Sequence, residues 1–163
     1  MKRIFFLLAA AALLLSGCAS MRLTPEEKAM IERQVQENLD DRNFIIDVDQ
    51  MLPSRGISQH VDNYSIKVDG ETLDSHLPYV GQAWSLPYGG GKGLTFESKI
   101  TDYIESYPKT DRRQIVLSTD NGEDVLVYIM EIFTNGRTSI EVRSRQRERI
   151  RYYGNVRTNL GAQ

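Results

Sequence analysis

The chain is 163 residues long, 40% hydrophobic, 26% charged and 9% aromatic, with a formal net charge of -2. That length fits one domain, and the apolar content is that of a packed globular protein rather than a disordered one. So balanced a charge supplies no basic surface for nucleic acid, and no nucleic-acid partner is expected.

The chain opens with Lys2 and Arg3, continues with the apolar run Ile4 to Leu15, and closes that run with Leu15-Ser16-Gly17-Cys18. A basic start, an apolar middle and a small-residue cut site predict a cleaved export leader over 1–17. The run is well short of the roughly 20 residues that a membrane-spanning helix needs. Leu15 to Cys18 also resembles the bacterial lipobox, in which the cysteine is acylated and becomes the new N-terminus. The resemblance implies a lipid on Cys18, a tether over 18–23, and a protein anchored to a membrane but not inserted in it. Cys18 is the only cysteine, so no intramolecular disulfide is possible. Stability has to come from the core.

A helix is predicted over 24–41. Thr24 suits the N-cap, Pro25 the first helical position, and Glu27 completes a capping box. Ile31, Val35 and Leu39 make one narrow apolar stripe, and Asp40 and Asp41 oppose the helix dipole where it ends. From Asn43 the period becomes two. Phe44, Ile46 and Val48 alternate with Ile45, Asp47 and Asp49, and Tyr64, Ile66 and Val68 with Ser65, Lys67 and Asp69, which predicts half-buried strands. Asp69-Gly70, Asn121-Gly122 and Asn135-Gly136 are the dipeptides that type I′ hairpins favour, and three of them argue for antiparallel sheet. Val125, Val127 and Ile129 lie on one face of a further strand, with Leu126, Tyr128, Met130 and Ile132 on the other. A strand apolar on both faces asks for cover on both, and the N-terminal helix is the expected lid.

Leu86 to Phe96 reads LPYGGGKGLTF. It fails the phosphate-loop pattern, because Gly93 follows Lys92 and Leu86 stands where the first glycine belongs. Gly89, Gly90, Gly91 and Gly93 contain no dinucleotide fingerprint either, and an alternating strand through Leu94, Phe96 and Ser98 follows. The glycines are expected to form an irregular linker that could gate a ligand. Near the end, Arg143, Arg145, Arg147, Arg149 and Arg151 alternate along the chain. Ile140 and Val142 face in, SRQRE turns the chain, and Ile150 and Tyr152 face in again, so the arginines are read as the solvated side of a hairpin.

Catalytic patterns are thin. His60 and His76 have no partner at metal-ligand spacing, no G-x-S-x-G is present, and Asp47 with Asp49 reads as a solvated strand face. No catalytic residue, metal site or cofactor is assigned.

LPYVGQAW, LTFES and IFTNGRTSIEVRSRQRERIRYYGNV resemble the family of exported bacterial proteins catalogued as domain of unknown function 4251, over most of Asn43 to Val156. The resemblance implies a lipoprotein of the cell envelope and carries no catalytic residues. Surface lipoproteins of such bacteria have an acidic stretch after the cysteine; Ala19-Ser20-Met21-Arg22 is not acidic, which favours the periplasmic side.

The expected fold is mainly β: one domain over 24–163, an antiparallel meander of about seven to nine strands curled into a barrel or half-barrel, with one N-terminal amphipathic helix. The expected function is a non-enzymatic envelope module for a small apolar or amphiphilic ligand. Tyr79, Trp84, Tyr88, Tyr103, Tyr107 and Tyr128 are its candidate binding residues, around a barrel mouth. The alternative is a scaffold or accessory protein that binds another envelope protein by a sheet face or edge. A carboxylate-dependent hydrolase is the least favoured reading.

Overall fold

A computed structural model of the protein describes residues 23–84 and 91–159. Helix α1, Pro25–Asp40, is followed by eight strands: β1 Asn43–Pro53, β2 Gln59–Asp69, β3 Thr72–Leu77, β4 Leu94–Lys109, β5 Arg112–Asp120, β6 Val125–Phe133, β7 Arg137–Ser144 and β8 Ile150–Val156. Each strand pairs antiparallel with the next, and β1 also pairs with β8, so the meander is a closed barrel.

Period-two burial makes the wall. Phe44, Ile46 and Val48 of β1, Ile66 and Val68 of β2, and Leu126, Tyr128, Met130 and Ile132 of β6 all point inward and are buried. An eight-stranded barrel has an interior that side chains just fill. Here Tyr128 and Tyr152 are the largest residues filling it. The Tyr128 hydroxyl donates to Ser75 Oγ at 3.0 Å, Ser75 donates to the Leu94 carbonyl at 2.8 Å, and Tyr152 donates to the Pro78 carbonyl at 2.6 Å. The hydroxyls of these three residues are thus paired within the barrel.

Helix α1 begins with the expected capping box: Thr24 Oγ1 accepts from the Glu27 amide, and the Glu27 carboxylate accepts from the Thr24 amide. Its position differs from the expected one. Val35 and Leu39 are buried against the barrel end that carries the β4–β5 and β6–β7 turns, near Ile132 and Phe133, and not over the outer face of β6. An open barrel end exposes apolar side chains on every strand at once, so plugging it buries more than covering one strand of the wall.

The three glycine hairpins are present, but not as type I′ turns. Gly70, Gly122 and Gly136 take φ of 59°, 84° and 85°, while the residues before them do not have positive φ. Asn121 and Asn135 work through their side chains instead. The Asn121 Oδ1 accepts from the Glu123 and Asp124 amides and the Asn135 Oδ1 from the Arg137 amide, which are Asx turns.

Closure depends on Gly154. It lies opposite Val48, beside the register shift between Val48 and Gln50 in β1. A Cβ at this position would overlap the Asp47 carbonyl oxygen. Gly154→Val is therefore expected to open the β1–β8 seam and cost about 3 kcal/mol or more, read as a lowered denaturation midpoint. An unchanged midpoint would contradict this account of closure.

Candidate functional site

The six aromatic residues nominated from the sequence do not gather around one mouth. Tyr88 lies outside the described residues, as does Cys18. Tyr79 and Trp84 sit at the loop end of the barrel, Tyr128 is enclosed within the lumen, and Tyr103 and Tyr107 are at the helix end. The physical reason is parity and length: β4 runs on past its pairing with β3, which carries Tyr103 and Tyr107 to the end opposite Trp84.

At the loop end, the segment after β3 folds back over the rim. The Trp84 amide donates to the Gln146 carbonyl at 2.8 Å, Glu148 donates to the Gln82 carbonyl at 3.0 Å, and Ala83 bridges to Arg147. The Tyr79 hydroxyl donates to the Gln82 carbonyl at 2.8 Å, and the Arg147 guanidinium lies 5.5 Å from the centre of its ring. Arg147 is buried, so one of the five alternating arginines turns inward. Of the others, Arg143 and Arg151 both pair with Glu141, at 2.6 and 2.8 Å.

At the helix end lies a cluster that the sequence reading missed. Arg113 is buried, donates to Asp40 of α1 at 2.6 Å, and stands 3.7 Å from Glu105. Arg42 stacks on Tyr103 at 4.2 Å, and the Tyr103 hydroxyl is buried without a hydrogen-bond partner. The signal was present, since Arg113 shares the inward parity of Ile115, Leu117 and Thr119. The ion pair ties the helix plug to the wall. The groove between plug and wall is only about 70 Å³.

Larger clefts, from about 310 to 570 Å³, open on the outside of the barrel. The one containing Asp47 and Asp49 is polar and partly neutralised, since Arg157 pairs with Asp47 through two nitrogens. Among the described residues no group of three or more His, Cys, Asp or Glu is arranged to hold a metal ion. His60 pairs with Asp62 at 3.0 Å, and His76 stacks on Tyr64 with centroids 5.2 Å apart. The Ser144 hydroxyl donates to Asp124 and accepts from the Gln146 and Arg147 amides, which is turn geometry.

The most distinctive feature is an apolar row across the outer wall. Register places Ile104 of β4 beside Val116 of β5 and Val116 beside Ile129 of β6; Val127 is on the same face of β6. Beyond Ile129 the row meets Glu141 with its two arginines. This is the solvent side of the strand for which a lid was expected, and α1 does not reach it.

Burial pushes the hydroxyls of Tyr103, Tyr128 and Tyr152 well above the ordinary tyrosine range. A folded-state value above the unfolded one means that their contribution to stability is intact below about pH 10 and is lost as pH rises beyond it. An absorbance titration should show these three phenolates appearing only together with loss of the barrel's circular dichroism. Their ionisation in a protein that is still folded would contradict the packing described.

The sequence profile of the family described as Domain of unknown function (DUF4251) matches residues 26–156. A crystal structure of a DUF4251 family protein from Bacteroides eggerthii DSM 20697, at 1.95 Å resolution, is similar with a TM-score of 0.63 and 12% identity, over 82% of this chain and 93% of that one. At that identity the likeness concerns the fold. A comparison with curated proteins gives no match. With the profile spanning the helix and all eight strands, the chain belongs to the DUF4251 family.

Proposed function

We propose that this protein is a non-enzymatic accessory module of the bacterial cell envelope, held by lipid on Cys18 on the periplasmic side, that binds another envelope protein through the outer wall of its barrel. The observation that carries this reading is the filled lumen. A small-molecule carrier of this size needs an enclosed apolar space of about 300 Å³ or more, whereas the inward residues of all eight strands here are packed against one another. This packing supports a protein partner over a small apolar ligand held in the lumen, the first expectation from the aromatic content.

The outer apolar row supports the same choice. Val116, Val127 and Ile129 are half-buried by their neighbours and Ile104 is 55% exposed. An apolar strip rimmed by Glu141, Arg143 and Arg151 has the composition of a protein contact, with an apolar centre and a charged rim. The lipid anchor is supported by the basic start, the apolar run and the Leu15-Ser16-Gly17-Cys18 sequence.

A photo-crosslinking residue at Val127, introduced in the native host, should capture one discrete envelope protein, and the same residue at Thr95 should not. Labelling of lipid alone, or native mass spectra with a retained small molecule and no protein partner, would overturn the reading. Separately, Cys18→Ser should abolish fatty-acid labelling and release the protein from membranes; continued pelleting without label would contradict the anchor.

A further inference from the structure

The ring of strands is complete without α1. Every strand pairs with its two neighbours, so no ladder bond is lost if the helix leaves. Of the buried apolar side chains only Val35 and Leu39 belong to α1, and none of Pro25 to Met30 is buried. Among the described residues its side chains make two hydrogen bonds to the rest of the chain, from Arg113 to Asp40 at 2.6 Å and from the Asn159 amide to Gln34 at 3.2 Å. A groove of about 70 Å³ remains beneath it. An element held by so few buried contacts opens at a lower cost than the fold as a whole.

The wall carries a second partner for the one charge that docking neutralises. Arg113 is buried and spends Nη2 on Asp40. Its Nη1 has no hydrogen-bond partner and stands 3.7 Å from the Glu105 carboxylate of β4. Asp40 travels with the helix, whereas Glu105 stays on the strand beside Arg113. When Asp40 departs, Arg113 closes on Glu105 instead of remaining a bare buried cation. The hinge is provided too. Arg42, between α1 and β1, has a φ of 50°, which residues with a side chain seldom adopt. Its carbonyl accepts from the Gly70 amide at 2.9 Å, so β1 stays fixed while the residues before it swing.

We propose that α1 is a detachable plug at the root of the tether. It leaves the barrel end as one unit, Arg113 passes from Asp40 to Glu105, and the chain before Arg42 is released. Docked, the tether spans 18–24, about 20 Å at full stretch; undocked it spans 18–42, roughly 80 Å. An isolated helix of this length is marginal in water, so the freed segment is extensible. The outer wall then meets envelope partners beyond the reach of the docked protein. This gain in reach rests on the lipid at Cys18 proposed above. The undocking itself does not.

Amide exchange on the full-length chain in lipid vesicles reads the undocking and is blind to the lipid, whose own test is the fatty-acid label. The amides of Ile31 to Leu39 should share one protection factor, lower by roughly tenfold or more than that of the β5 and β6 centres. Ile115→Val, in the barrel core, should speed exchange in β5 and β6 severalfold and leave α1 unchanged, because docked and undocked forms keep the same barrel. Glu105→Gln should slow exchange in α1, since Arg113 then has no counter-charge once Asp40 departs. A Glu105 that only helped to hold the docked helix would give the opposite sign. Helix amides as protected as the barrel, Ile115→Val speeding both alike, or Glu105→Gln speeding the helix would each overturn the proposal.

Discussion

The seam between β1 and β8 is the constraint on which the rest of the molecule depends. Eight strands of period-two burial can lie flat, curl partway or close, and only closure satisfies both edges of the sheet. In this chain closure brings the backbone of β8 onto the carbonyl of Asp47, at a distance that only a residue without a side chain permits. Once the ring is shut, each inward residue has neighbours on every side. The lumen then has to be filled to native density, and large residues such as Tyr128 and Tyr152 do this with their hydroxyls bonded internally.

A filled ring leaves two ends and an outer wall. One end takes α1, tied by Arg113 to Asp40 and wedged by Val35 and Leu39. The other is roofed by the chain after β3, which returns across the rim to pair with the β7–β8 turn. Both solutions use local chain. What stays presented to solvent is the wall, and its least ordinary feature is the apolar strip over β4, β5 and β6.

Much of this architecture could be read from the sequence because it rests on local rules. Alternation at Phe44–Val48 and Tyr64–Val68 gave the inward face, Asn-Gly and Asp-Gly marked the turns, and Thr24, Pro25 and Glu27 marked the helix start. The errors came where a local signal has more than one tertiary outcome. An amphipathic helix needs an apolar surface, but the sequence does not say whether that is a strand or a barrel end. Asn121 and Asn135 suit left-handed backbone and Asx turns equally well, and side-chain bonding won. The tyrosines share a composition but not a parity, so proximity along the chain did not become proximity in space. Arg113 sat on the inward parity throughout and was hidden only by the expectation that charge faces out.

Hydrogen exchange at single-residue resolution tests the closed ring most directly. If β1 and β8 are fully paired, the amides of Asp47, Tyr153 and Asn155, which face the seam, should exchange only through global unfolding, as slowly as those in the centre of β5 and β6. Seam amides that exchange through local opening, orders of magnitude faster than the β5–β6 amides, would show an open half-barrel and contradict the account.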